Sequence, residues 1–348
     1  MTKRGVSILV VGVAAMLLAT GCGASESGGG QQEKGGKPPK LRIGYQAIPN
    51  GDLIVKQQGS LEKAIGVPVE WQQFDSGADV NRAIAAGSVD IGLAGSSPVS
   101  NGIASGLPYK VAWIYDIIGD AEQLAVKTSA GANDVAGLKG KKVAAPFGST
   151  THYALLTSLQ DAGLDPAKDL DVLDLAPDDI VAAWQRGDID AAYVWNPSLA
   201  KIKEDGGKVL VSSAELAKQG TLTGDLAIVS TEFAEKYPDI VTAWVKEEDR
   251  AVKLYKEDPE KAAGIVGKEL NLSAKEALDQ MEGLIWLDAS EQVAPEYLGA
   301  PGQPGELAKQ LTTTAKFLKE QKLIDREPSP DEFNKAVDPQ FAQKVSER

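Results

Sequence analysis

Residues 83–98 read AIAAGSVDIGLAGSSP, and their order decides the fold. Apolar positions at helical spacing lead to Gly87, a residue suited to the left-handed turn that ends a helix. VDIGLA at 89–94 follows, a small and β-branched run with the length of a buried strand. Gly95-Ser96-Ser97-Pro98 then opens another helix, with Pro98 placed where the first turn lacks a hydrogen-bond partner anyway. Helix, strand and helix in immediate succession form the unit of a parallel sheet covered by helices. The pattern returns at 183–192, AWQRGDIDAA, around Gly187. Both copies run helix, Gly, one residue, Val or Ile, Asp, then small residues, and a proline follows each strand, at Pro98 and Pro197. Two similar α/β lobes are expected.

Outward from these copies, strands are expected at 41–45, 69–74, 111–115, 142–145, 171–175, 190–195 and 226–230. Amphipathic helices are expected at 52–65, 78–86, 149–162 and 178–186, with Gly66, Gly87, Gly163 and Gly187 closing several of them. After Ser230 the pattern turns helical, over 231–256, 259–269, 273–283 and 304–322, and the Pro- and charge-rich tail at 326–348 allows one short helix. Helices that follow a completed second lobe must pack back on the first. The expected organisation is a first lobe begun by 40–122, a second lobe at 123–224, and completion of the first by 225–348.

The N-terminal residues 1–22 read as a lipoprotein signal peptide. Lys3 and Arg4 precede an apolar run from Val6 to Leu18, too short for a comfortable membrane span. Ala19-Thr20-Gly21-Cys22 resembles a bacterial lipobox, in which Cys22 would carry the lipid. Leucine is commoner at the place of Ala19. Cys22 is the only cysteine, which excludes an intramolecular disulfide. Residues 23–39, GASESGGGQQEKGGKPP, read as a flexible tether. The expected location is extracytoplasmic, anchored to the membrane by lipid.

Composition narrows the function. Hydrophobic residues are 43% and charged residues 24%, so a packed core is feasible. A net charge of -13 repels nucleic acid and anionic membrane surfaces, so neither is an expected partner. There is a single histidine, His152. Ser149 and His152 stand three apart at a helix start, where the serine turns to backbone N–H groups rather than to a base. No H-E-x-x-H, cysteine pair, EF-hand loop, Walker sequence or strand-following G-x-G-x-x-G occurs, so no metal, nucleotide or other cofactor is expected. Asp171, Asp174, Asp178 and Asp179 read as a solvated edge and a helix start.

Two strand-to-helix junctions remain, one on each expected lobe: Gly95-Ser96-Ser97-Pro98 and Gly148-Ser149-Thr150-Thr151. Glycine allows close backbone approach, hydroxyls donate, and a helix start leaves N–H groups unpaired with a partial positive charge. Each junction alone reads equally as a plain cap or as an oxyanion socket; the pair favours an oxyanion held without Arg or Lys. Asp225, just before an apolar strand, is either a cap or the partner of a cation. Tyr193 and Trp195 are either core packing or an aromatic wall of the site.

These residues resemble the taurine-binding members of the sulfonate and nitrate solute-binding family of bacterial ABC importers. The segments that carry the resemblance are Phe74-Asp75-Ser76-Gly77, Gly95-Ser96-Ser97-Pro98, Pro146-Phe147 with Ser149-Thr150-Thr151-His152-Tyr153, and 182–190 with Tyr193-Val194-Trp195. It spans about Leu41 to Asp325. The resemblance implies a type II periplasmic-binding fold with ligand in the cleft between two α/β lobes, and a C-terminal part that covers the first lobe. It implies that Ser96, Ser97, Thr150 and Thr151 hold a sulfonate, that Asp225 meets an amine, and that Gln46, Glu122 and Trp195 line the cleft. It further implies a monomer without catalysis, delivering its ligand to a membrane permease whose ATPase is a separate chain. Alkanesulfonate, nitrate and thiamine precursors are the other ligands of such proteins, and an enzyme resembling a pyrimidine-precursor synthase is the alternative of another class. The sequence departs from the family pattern at Gly148, where a larger apolar residue is usual, and around 215–224; both places bear on pocket shape.

Overall fold

The computed structural model describes residues 36–347. The leader at 1–22 with Cys22, and the tether up to residue 35, lie outside the described residues. Eleven strands build the two main sheets: β1 (Leu41–Tyr45), β2 (Val69–Gln73), β3 (Ile91–Gly95), β4 (Tyr109–Ile118), β5 (Glu122–Lys127), β6 (Lys142–Ala145), β7 (Asp171–Asp174), β8 (Ala191–Trp195), β9 (Gly207–Ser212), β10 (Gly224–Ser230) and β11 (Leu284–Ile285). The first sheet has the order β11-β4-β10-β3-β1-β2 and the second β7-β6-β8-β5-β9. In each, three parallel strands are joined by one antiparallel strand, β10 in the first and β5 in the second.

That shared order explains the sequence repeat. β3 lies between β1 and β10, and β8 between β6 and β5, so the segments after Gly87 and Gly187 occupy the same place in the two sheets. Both glycines sit in the left-handed region, at φ 64 and φ 80, where a Cβ is strained. The chain passes from the first sheet to the second between Ile118 and Glu122 and returns between Ser212 and Gly224. Each passage delivers the antiparallel strand of the sheet it enters.

The C-terminal helices cover the first sheet. The 20-residue helix Pro238–Glu257 packs on Gly51–Gln58 and on Gln340–Ser346, and Glu306–Glu320 packs on Ser96–Ala104. Trp113, Tyr115, Trp244, Phe333 and Phe341 fill the space between, each at most 1% exposed.

The structure corrects several sequence expectations. The helix expected over 52–65 is two, because Gly59 turns left-handed (φ 59) between them. The stretch 231–256 breaks at Tyr237, where Pro238 starts a new helix. The tail forms two helices, Pro330–Ala336 and Gln340–Ser346, rather than one. β5 and β9 were not expected. β5 begins with Glu122 and Gln123, at the expected lobe boundary, and both are buried.

Candidate functional site

β3 runs without a loop into the helix Ser96–Ala104. Among the described residues no side chain caps this helix, so its leading N–H groups have no side-chain acceptor there. On the other lobe, β6 leads through Pro146–Ser149 into the helix Thr150–Asp161. Ser149 caps it, accepting from His152 N at 3.1 Å. Its hydroxyl donates to Pro146 O (2.6 Å) and meets Thr151 Oγ1 at 2.8 Å. The turn before it needs Gly148, at φ 75, and is tied down by Phe147 N donating to Asp174 Oδ1 (2.8 Å). A larger residue at position 148 would be strained in this turn.

The two helix starts meet. A Cβ placed on Gly95 would lie 2.6 Å from Thr150 Cγ2. Nearby, Tyr153 of the second helix contacts Phe317 of the C-terminal helix edge-on, ring centres 5.0 Å apart. Between the starts is a gap lined by Gln46, Ile48, Gly77, Gly95, Pro98, Glu122, Ser149, Thr150, Trp195 and Asp225, none of them Lys, Arg or His. It encloses about 10 Å³, room for one water-sized sphere, so the lobes must part to admit a ligand. Gln46 and Trp195 divide it from an adjoining chamber of about 250 Å³ between Phe74-Asp75 and Ala176–Asp179. A larger open groove, about 910 Å³, lies outside the gap along Phe147, Gly163–Ala167 and Leu323 and lacks convergent buried donors.

Two carboxyl groups line the gap, and a third, Asp116, is buried across the sheet from one of them. Glu122, at the start of β5, accepts from Thr150 Oγ1 (2.5 Å) and Ser213 Oγ (3.3 Å). Burial pushes it up to about 8, against the pull of the Thr150 bond; the charge of Asp225 raises it further and the Ser213 bond lowers it. Asp225 lies across the sheet from both Gly95 and Asp116, at a shift in register that re-aims its side chain. Burial raises Asp225 too, opposed by its cross-strand neighbour Asp116. Asp116 is fully buried and is held well above the usual carboxylate range, by burial first and then by the charge of Asp225.

Of the residues expected at the site, the structure brings Gln46, Glu122, Thr150, Trp195 and Asp225 to the gap. Gln46 is fixed by donating Nε2 to Leu93 O at 3.2 Å. Ser96 and Ser97 are buried at the first helix start but do not line the gap, and Ser96 Oγ has no hydrogen-bond partner among the described residues. Thr151 is buried beside the gap without lining it, its hydroxyl 2.8 Å from Ser149 Oγ. Tyr193 is fully buried, with its hydroxyl 3.1 Å from Ser213 Oγ, and so supports Glu122 from behind. His152 accepts from Gly148 N (3.3 Å) and stacks on Phe147; burial lowers it to about 4, against the pull of Asp174. It has no serine to activate. Sequence reading missed Asp116, Asn50 and Ser213. Asp116 left one signal, as the only acid in the apolar run YKVAWIYDII.

The NMT1-like family model matches residues 34–267. The taurine-binding periplasmic protein of Escherichia coli (strain K12) is 35% identical over 287 residues, 81% of this chain and 86% of that one. The crystal structure of the periplasmic aliphatic sulphonate binding protein from Escherichia coli superposes with a TM-score of 0.69 at 25% identity, covering 88% of this chain and 100% of that one. A desulfurization enzyme, 16% identical over 89% of this chain and 99% of its own, shares the fold alone, with a TM-score of 0.63. The chain belongs to the NMT1-like family, alongside the periplasmic proteins that bind sulfonates.

Proposed function

We propose that this chain is the extracytoplasmic binding component of an ABC importer, and that its ligand is taurine or a close sulfonate that also carries an amine. One observation carries the reading: the helix starts of both lobes and two buried acids, Glu122 and Asp225, meet at the same gap. A simple anion such as nitrate or an alkanesulfonate would gain from the first and be repelled by the second. A zwitterion satisfies both. Its sulfonate takes the N–H groups and hydroxyls of Ser96, Ser97, Thr150 and Thr151, the last two through a small rotation, and its ammonium faces Asp225 beside Glu122. Trp195 and Gln46 close over it. The relatives named for taurine and aliphatic sulphonate support the ligand class.

The mechanism is capture by closure. The lobes, which we divide at 40–122, 123–224 and 225–348, part at the two strand exchanges and admit the ligand. The closed arrangement gains population by its greater affinity for the bridging zwitterion. A micromolar dissociation constant, about -8 kcal/mol, would suit capture of a scarce solute. The closed monomer then docks on a permease served by a separate ATPase. Residues 1–22 act as a signal peptide, and Cys22 carries the lipid that tethers the body. The reading is of a binder and not an enzyme: Ser149 and His152 are spent on capping and packing.

Calorimetry with taurine, butanesulfonate and nitrate tests the ligand. Taurine should bind tightest, and absence of taurine heat at high protein concentration sinks the reading. Asp225→Asn should weaken taurine at least tenfold more than butanesulfonate, since a hydrogen bond to a charged partner contributes about 1.5–3 kcal/mol. Equal losses would place Asp225 outside the amine site.

A further inference from the structure

Behind Asp225 stands a second acid, which neither the sequence pattern nor the relatives' names assign. Asp116 and Asp225 are direct cross-strand partners on β4 and β10, so their side chains leave the same face of the sheet. Asp116 is 0% exposed and Asp225 5%. Asn50, which opens the helix Gly51–Gln58, donates Nδ2 to Asp116 Oδ2 at 3.1 Å and is itself fixed by accepting from Asp52 N at 3.3 Å. Asp116 Oδ1 has no hydrogen-bond partner among the described residues. The groups facing Asp225 are Asp116 on β4, Gly95 on β3, and, around the gap, Glu122, Thr150, Gln46, Ile48 and Trp195. The titratable ones are Asp116 and Glu122, with Tyr115 of β4 within reach of the charge and held neutral by burial. No Lys, Arg or His is among them.

Two carboxylates in contact without a cation cannot both ionise, so one keeps a proton. Asp116 is the deeper of the two and is clamped on Oδ2 by Asn50, which leaves Oδ1 free to carry the proton toward its cross-strand partner Asp225. We propose that Asp116 is a positioning residue of the ammonium site: as a neutral acid clamped by Asn50, it donates to Asp225, keeping Asp225 ionised with its other oxygen directed at the gap. The inference rests on the amine-bearing sulfonate reading above. Without that donor, Asp225 is a buried carboxyl with Glu122 as its only acidic neighbour at the gap, and it takes up the proton itself and ceases to attract an ammonium.

The test compares taurine with butanesulfonate by calorimetry, on the full mature chain, from pH 6 to 9. Wild type must first bind taurine; if it does not, the ligand reading falls and the role of Asp116 with it. Asp116→Leu is expected to weaken taurine ten- to a hundredfold at pH 7 and butanesulfonate less than threefold. The taurine loss should shrink as pH rises and Asp225 gives up its proton, a recovery that a packing defect would not show. Asp116→Asn keeps a donor of the same shape and should hold taurine within threefold of wild type, which also covers the case in which the leucine variant fails to fold. Equal weakening of both ligands, a pH-independent taurine loss, or a loss beyond tenfold in Asp116→Asn would each overturn the proposal.

Discussion

Gly95→Ala should act as a wedge across the gap while leaving each lobe intact. The backbone at Gly95 has φ -64 and ψ 162, which alanine adopts freely, so no strain arises locally. The new methyl would meet Thr150 Cγ2 at 2.6 Å, against about 3.4–4 Å for ordinary contact. The lobes must therefore stay about 1 Å further apart, or Thr150 must move off its hydrogen bond to Glu122. Overpacking of this size costs about 1–3 kcal/mol. Because it falls only on the closed arrangement, it should appear as roughly 5- to 150-fold weaker ligand binding. The unliganded chain, free to open, should unfold within about 0.5 kcal/mol of wild type. Thr150→Ser supplies the control. It removes Cγ2 and keeps the hydroxyl, and the remaining Thr150 atoms stand 3.5 and 3.6 Å from the new methyl, which is ordinary contact. The double variant should recover most of the loss, giving a coupling of about 1–3 kcal/mol in a double-mutant cycle read by calorimetry. Gly95→Ala binding within twofold of wild type, or no rescue by Thr150→Ser, would refute the claim that these two helix starts touch when the ligand is held.

Two more outcomes follow from buried groups away from the gap. Asp52 and Glu248 form a carboxyl pair beside Tyr115 and Trp244, both raised chiefly by burial, so the folded chain holds protons that the unfolded chain releases above about pH 4. Stability from this pair is full in acid and lost as pH rises through the raised range, by up to about 1.4 kcal/mol per pH unit per proton; Glu248→Gln should flatten that fall in urea unfolding between pH 5 and 8.5, and parallel curves for the two proteins would count against it. His152, lowered to about 4 by burial, is neutral across pH 5–8, so His152→Gln, which keeps an acceptor for Gly148 N, should bind ligand within twofold of wild type; a tenfold loss would give the imidazole a role at the site.

The strands with unbroken apolar patterns were legible within two residues for most of them, because a buried parallel strand must be apolar on both faces. β6 matched at both ends, Lys142–Ala145. β5 was not legible, since Glu122 and Gln123 look solvated in a sequence and are buried here by the lobe they cross into. The same cause hid Asp116: an acid in an apolar strand contradicts its neighbours until Asn50 and Asp225 are seen around it. The two hydroxyl-rich junctions were visible from residue type alone. Which of their hydroxyls face the gap was not, because Ser149 takes the capping place and draws Thr151 with it.

By itself, then, the sequence determined the α/β class, the two related halves and the chemistry at each helix start, because these depend on local periodicity and on residues adjacent in the chain. The tertiary structure alone decided that Gly95 and Thr150 touch, that Glu122 and Asp225 share one gap, and that Asp116 is buried across the sheet from Asp225. Those contacts join residues on different strands and lobes, and they exist only because each strand exchange inserts one antiparallel strand into a sheet whose parallel strands lie elsewhere in the chain.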